Sequence, residues 1–218
     1  METYINPNLD FYPMQKDKNY HITLVLIAAI VLVWSGINPH DYLTWALEVI
    51  PAIIGFIVMA ATYKKFRLSN LTYTLITIFA IIMMVGGHYT YAEVPFFNWV
   101  RDAGFGHRNN YDKIGHFVQG VTPAILAREL LIRKSPLKRG KWLFFIVVCI
   151  ALAISASYEL VEWMVSEFTG SAGDAFLGTQ GYVWDTQTDM AMALIGSIAA
   201  QLFLNKYHDK SMDSVNVD

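Results

Sequence analysis

Long apolar runs alternate with short polar links along all 218 residues of the chain. Six of the runs are long enough to cross a bilayer, which takes about 20 residues of helix. They predict helices near residues 20–37, 43–63, 71–93, 112–133, 141–164 and 185–205. No linker, shift of composition or internal repeat divides them. The expected fold class is therefore all-α, a polytopic membrane protein in which residues 1–218 form a single six-helix transmembrane bundle.

The polar links set an expected orientation. Lys16 and Lys18 precede the first run, and Lys64, Lys65 and Arg67 follow the second. Arg133, Lys134, Lys138, Arg139 and Lys141 follow the fourth, and Lys206 and Lys210 follow the sixth. The alternate links hold only Arg101, Arg108 and Lys113. By the positive-inside rule both termini are short cytoplasmic tails, and the links after the first, third and fifth runs lie outside. The first 20 residues lack a small-residue cleavage site and read as a tail before a signal-anchor helix.

Composition adds mainly exclusions. The chain is 55% hydrophobic and 16% charged, with a mean hydropathy of +0.36, too apolar for an ordinary soluble domain. A net charge of −2 gives no reason to expect a nucleic-acid partner. Cys149 is the sole cysteine and sits in the apolar run LFFIVVCIALAI, so neither an intrachain disulfide nor a cysteine zinc site can form. Phosphate loops, dinucleotide fingerprints and serine–histidine–aspartate motifs are missing as well.

The candidate chemistry lies in ionisable residues inside the apolar runs, because such groups are costly in a bilayer and are functional by default. From Ser155 to Met190 the chain carries Glu159, Glu162, Glu167, Asp174, Asp185 and Asp189 with no Lys or Arg. These acids need partners from elsewhere: histidines, protons or a metal ion. On the expected topology Glu159, Glu162, Asp185 and Asp189 share one outer-leaflet layer with Glu48, His88, Glu93, Asp112 and His116. Asp112 and His116 are four residues apart, as are Asp185 and Asp189, and Glu159 and Glu162 are three apart, so each pair shares a helix face. Each acid turned to lipid near the bilayer centre would cost about 2.5–3.5 kcal/mol, so these faces are expected to point inward.

The expected catalytic residues are His116, Asp112, Glu159 and Glu162. The expected ligands of a divalent metal ion are His116, Asp112, Glu159, Asp185, Asp189 and His88. Imidazole nitrogen with carboxylate oxygen suits zinc, manganese or iron, and an acid-rich set also admits magnesium or calcium. The competing reading is a buried polar network that pins helix packing. Glu48 is expected to hydrogen-bond a neighbouring helix, and Glu129 to pair with Arg133 four residues on. The charged layer is not expected to continue into the cytoplasmic half. Ala193, Gly196 and Ala200 form a small-residue stripe suited to close helix packing. The outer links, one rich in aromatic residues and one in glycine, are expected to lie at the interface or cover the layer as lids.

The blocks YDKIGHF, SASYELVEW and GDAFLGTQGYVWDTQTDM resemble signatures of the YjdF-type bacterial inner-membrane proteins, a family of unknown function. The likeness runs from the first predicted helix through the sixth. A fainter likeness, DK-x-x-HF at a helix start and an acidic last helix, is to VanZ-like membrane proteins, associated with teicoplanin resistance. The resemblance implies a bacterial cytoplasmic (inner) membrane location and the six-helix plan, and no chemistry.

Three function classes fit these observations. One is a metal-dependent membrane enzyme acting on an envelope lipid or lipid-linked substrate. Another is a cation or small-solute transporter, which the lack of an inverted repeat disfavours. The third is a non-catalytic membrane factor whose outer loops bind an envelope partner.

Overall fold

The computed structural model describes residues 11–169 and 179–215, and these residues contain helices and no strand. The helices are α1 (Phe11–Ser35), α2 (Tyr42–Thr62), α3 (Asn70–His88) and the short α4 (Pro95–Val100). They continue with α5 (Tyr111–Lys134), α6 (Lys141–Thr169), α7 (Asp185–Phe203) and α8 (Asn205–Asp213). Each of the six predicted segments has a helix over it. Glycines 170, 173 and 178, Asp174 and Phe176 of the expected glycine-rich lid lie outside the described residues.

Among the described residues, four helices are long and apolar enough to cross a membrane: residues 17–35 of α1, α2, α3 and α6. A fifth span results if α7 and α8, bent by 63° at Leu204, count as one. Lipid-facing character is visible on their surfaces, where Ile30 is 68% exposed and Ile57 61% exposed. Helix α5 stays outside this set for a physical reason. Its sequence carries Asp112, Lys113, His116, Gln119, Arg128 and Glu129 among its apolar residues, and it packs against α3, α6 and α7.

Helices α5 and α7 approach at backbone distance. A Cβ on Gly120 would run into the backbone of Ala193, and one on Gly196 into the backbone carbonyl of Phe117. The expected stripe of Ala193, Gly196 and Ala200 is thus buried in a helix contact made by small residues. Ile125, Val147 and Ala151 fill one apolar core beside it, and Val49, Met83 and Met84 fill another. At the start of α2, Asp41 Oδ1 accepts the Thr44 N–H at 2.7 Å. That backbone hydrogen bond holds the Asp41 carboxyl below its usual range.

The end of α3 departs from expectation. It stops at His88, not near residue 93. Thr90 and Tyr91 take positive φ angles of 54° and 53°, and the Tyr91 N–H returns to the Gly86 carbonyl at 2.8 Å. The Tyr91 ring lies where a Cβ on Gly86 would be. Only glycine at 86 lets that ring fold back over α3 and into the bundle.

Candidate functional site

The site forms where α5 begins, and a buried asparagine fixes that start. Asn109 is fully buried; its Nδ2 donates to the Val94 carbonyl at 3.0 Å and to Asn98 Oδ1 at 2.9 Å. Its Oδ1 accepts the Tyr111 N–H at 3.1 Å, capping α5. Its own backbone N–H donates to Gln180 Oε1 at 3.0 Å, and Gln180 Nε2 donates back to the Asn109 carbonyl at 2.8 Å. Three chain segments are thereby tied together beside Arg108 and Asp112.

Helices α5, α6 and α7 then bring the expected residues into one cluster. His116 Nε2 lies 3.2 Å from Asp112 Oδ1 and 3.8 Å from Asp189 Oδ1, while Nδ1 lies 3.6 Å from Glu159 Oε1. The nearer partner of Nδ1 is Gln119 Oε1, at 2.9 Å. All of these side chains are buried. Each of Asp112, His116 and Asp189 offers a donor atom within 4.8 Å of the other two. Glu159 Oε1 is buried without a hydrogen-bond partner among the described residues.

Two cations that sequence reasoning counted only toward topology complete the cluster. Lys113 Nζ contacts Asp189 Oδ1 at 2.6 Å, Asp185 Oδ1 at 2.8 Å and Asp112 Oδ2 at 3.3 Å. Arg108 reaches Asp185 Oδ1 with Nη1 at 2.6 Å and Asp112 Oδ2 with Nη2 at 3.3 Å. Asp185 is thus held by two permanent cations. Arg108 precedes α5, so helical spacing in the sequence did not join it to Asp112.

Beneath the cluster is a small chamber, about 20 Å3, lined by Glu48, Tyr91, Asp112, His116, Tyr158 and Glu162 among others. That is room for about one water or ion. Glu48 Oε2 accepts the hydroxyls of Tyr158 at 2.9 Å and Tyr91 at 3.0 Å, which fulfils the expectation of a hydrogen bond to neighbouring helices. Glu162 lines the chamber and makes no ion pair among the described residues. Taken with Asp112, Glu159, Asp185 and Asp189, the carboxyls outnumber Arg108, Lys113 and His116. The difference is made up by protons, by a bound cation or by both.

Some expected members stand elsewhere. His88 Nδ1 bonds the Ser35 carbonyl at 2.9 Å and its ring packs on Trp34, so this residue ties α3 to α1. Glu93 lies beyond the shortened α3, exposed, and accepts from Asn98 Nδ2 at 3.0 Å. Glu167 is exposed on α6.

The expected Glu129–Arg133 pair in the opposite half is part of a larger buried network. Fully buried Glu129 accepts from Arg133 at 2.5 Å, as expected, but also from the Ser69 hydroxyl at 2.7 Å and the Thr72 hydroxyl at 2.6 Å. Buried His208 of α8 sits 3.2 Å from Glu129 and 2.9 Å from Arg128, which in turn reaches Asp209 at 2.7 Å. These partners are remote in sequence, so periodicity within one helix carried no sign of them.

Residues 20–210 match the family model described as "Predicted membrane protein (DUF2238)". The chain is also 47% identical over 190 residues to inner membrane protein YjdF of Escherichia coli (strain K12), covering 87% of this chain and 91% of that protein. The chain belongs to this family. The resemblance drawn from its signature blocks is thereby shown, and the cluster around His116 lies within the matched region. No solved structure matches.

Proposed function

We propose that this chain is a six-span inner-membrane enzyme whose His/carboxylate centre binds a divalent cation and acts on an envelope lipid or lipid-linked substrate. The name of the Escherichia coli relative supports the inner-membrane location. The six spans are α1, α2, α3, α5, α6 and α7, with α5 the polar central one. Sequestration of Arg108 and Lys113 in ion pairs supports the orientation drawn from the lysines and arginines. Both termini are then cytoplasmic, the site faces outward, and residues 1–218 act as one domain.

The observation that carries the reading is the orphaned Glu159 Oε1 beside the Asp112–His116–Asp189 group. A buried, unpartnered carboxylate oxygen calls for a water or an ion. Asp112, His116 through Nε2 and Asp189 would hold the cation, with Glu159 an acid on the Nδ1 side of the ring and Lys113 sharing the Asp189 carboxylate. Such an ion polarises a phosphoryl or carbonyl oxygen and acidifies a bound water. Glu162 lines the chamber and would serve there as the proton acceptor.

A second reading has its own observation in its favour. The Lys113 ammonium already stands among three carboxylates, which suits a fixed ion-pair network in a non-catalytic membrane factor. Metal analysis of the purified protein separates the two. Wild type is expected to carry close to one divalent ion per chain, and Asp112→Asn and His116→Ala to lose it. Equal metal content in all three, or none in wild type, removes the metal centre and leaves the network.

A further inference from the structure

We propose that an apolar groove between α2, α3, α5 and α6 binds the hydrocarbon chain of a membrane lipid, with its polar end at Gln119 and Tyr158. The inference rests on the reading of the chamber as a lipid-directed site and supplies the substrate's position. The groove encloses about 510 Å3, within the range of about 300–1,000 Å3 that ligand sites occupy. It follows α5 from Gln119 to Leu130, about 16 Å at the helical rise. On the other side it follows α2 from Pro51 to Thr62. Helix α2 packs mainly on α3, which leaves this space between it and α5.

Continuity with the chamber distinguishes the groove from ordinary lipid-facing surface. Phe79, Met83, Gln119 and Tyr158 line both spaces. On the chamber side, Gln119 Oε1 meets His116 Nδ1 at 2.9 Å and the Tyr158 hydroxyl meets Glu48 at 2.9 Å. Beyond these two polar side chains and threonines 62 and 122 the lining is hydrocarbon and glycine. A second groove of about 570 Å3, between α1, α2 and α3, shares no wall with the chamber. The occupant is therefore a linear acyl or prenyl chain. It lies along α5 with its polar end toward the Asp112 end of that helix and its tail running toward Leu130.

Gly55 offers a clean test, since a Cβ there meets nothing within 4 Å. Wild type, Gly55→Ala and Gly55→Phe are placed in nanodiscs containing phosphatidylglycerol with a photoreactive diazirine in its acyl chain. Adducts in wild type and Gly55→Ala are expected to concentrate on the Thr122–Leu130 stretch of α5, well above the α1 wall of the second groove. Gly55→Phe is expected to lower that labelling about tenfold, equivalent to about 1.4 kcal/mol or two buried methylenes. Should Gly55→Phe misfold, Val58→Trp fills the same space from a half-exposed position. Equal labelling of the two grooves, or labelling unchanged in both filled variants, overturns the proposal. Metal content is read on the same samples. Its absence defeats the metal centre and leaves the groove result intact, whereas the groove variants are expected to keep any metal that wild type holds.

Discussion

Removing the Lys113 ammonium tests the central cluster most directly. Its Nζ contacts Asp112, Asp185 and Asp189 at 3.3, 2.8 and 2.6 Å, and the lysine side chain is only 16% exposed, the three aspartates 10% or less. Lys113→Ala would leave three buried carboxylates to Arg108 and His116. Breaking a buried ion pair by deleting one partner costs about 3–5 kcal/mol. For a chain of this size that is a fall of about 6–20 °C in Tm, at about 2–4 °C per kcal/mol. Thermal unfolding in detergent, followed by circular dichroism, reads the loss. Arg101→Ala serves as the control, because Arg101 pairs with exposed Asp102 at the surface, where water screens the attraction. Asp185→Asn in the Lys113→Ala background should recover part of the loss, with a coupling of about 0.5–3 kcal/mol. If Lys113→Ala costs no more than Arg101→Ala, the carboxylates are not held as the distances imply, and the reasoning fails.

Further outcomes follow from the same structure. Gly120→Ala should destabilise by about 1–3 kcal/mol or more in a thermal melt, since its Cβ meets the Ala193 backbone, which cannot swing aside as a side chain would. Gly55→Ala is the matched control and should leave Tm unchanged or slightly raised. Asp41→Ala should cost about 1 kcal/mol through loss of the α2 cap. Because the folded Asp41 carboxyl titrates below its unfolded value of about 3.9, its contribution is present above that pH and disappears as pH falls below it. The melting temperatures of wild type and Asp41→Ala should therefore converge in acid, and a constant gap down to pH 2 would contradict the cap assignment. A reporter active only outside the membrane should work when fused at Tyr182 and fail after Lys138; activity after Lys138 would reverse the orientation.

How much of this was legible in the sequence depended on whether partners were local. The helical segments were, because apolar length is a property of each run alone. So was the shared face of Asp112 and His116, fixed by four-residue spacing, and the small-residue seam of α7. The approach of Glu159 and Asp189 to His116 followed from placing all of them at one depth. The roles of Arg108 and Lys113 were not legible, because Asp185 and Asp189 lie more than 70 residues away. The early stop of α3 depends on the Tyr91 ring lying against Gly86, a contact that hydropathy does not record. His88 was misassigned for a related reason. Depth placed it in the layer, but the direction of its side chain placed it against Ser35 and Trp34.

The position of α5 ties these observations together. It carries Asp112, Lys113 and His116 near one end and Arg128 and Glu129 near the other, and both buried networks are built on it. Charges at the bilayer centre cost about 2.5–3.5 kcal/mol each, so such a helix is poorly suited to cross lipid alone. Its polar groups are instead met by Asp185 and Asp189 of α7, Glu159 of α6 and, at the far end, Ser69, Thr72 and His208. That arrangement requires α7 to lie against α5 at backbone distance, which Gly120 and Gly196 make possible. It also requires the more apolar α1, α2, α3 and α6 to meet the membrane. A helix poorly suited to insert by itself thus carries His116 and Asp112 of the candidate site, and the neighbours that shield it supply the other carboxylates.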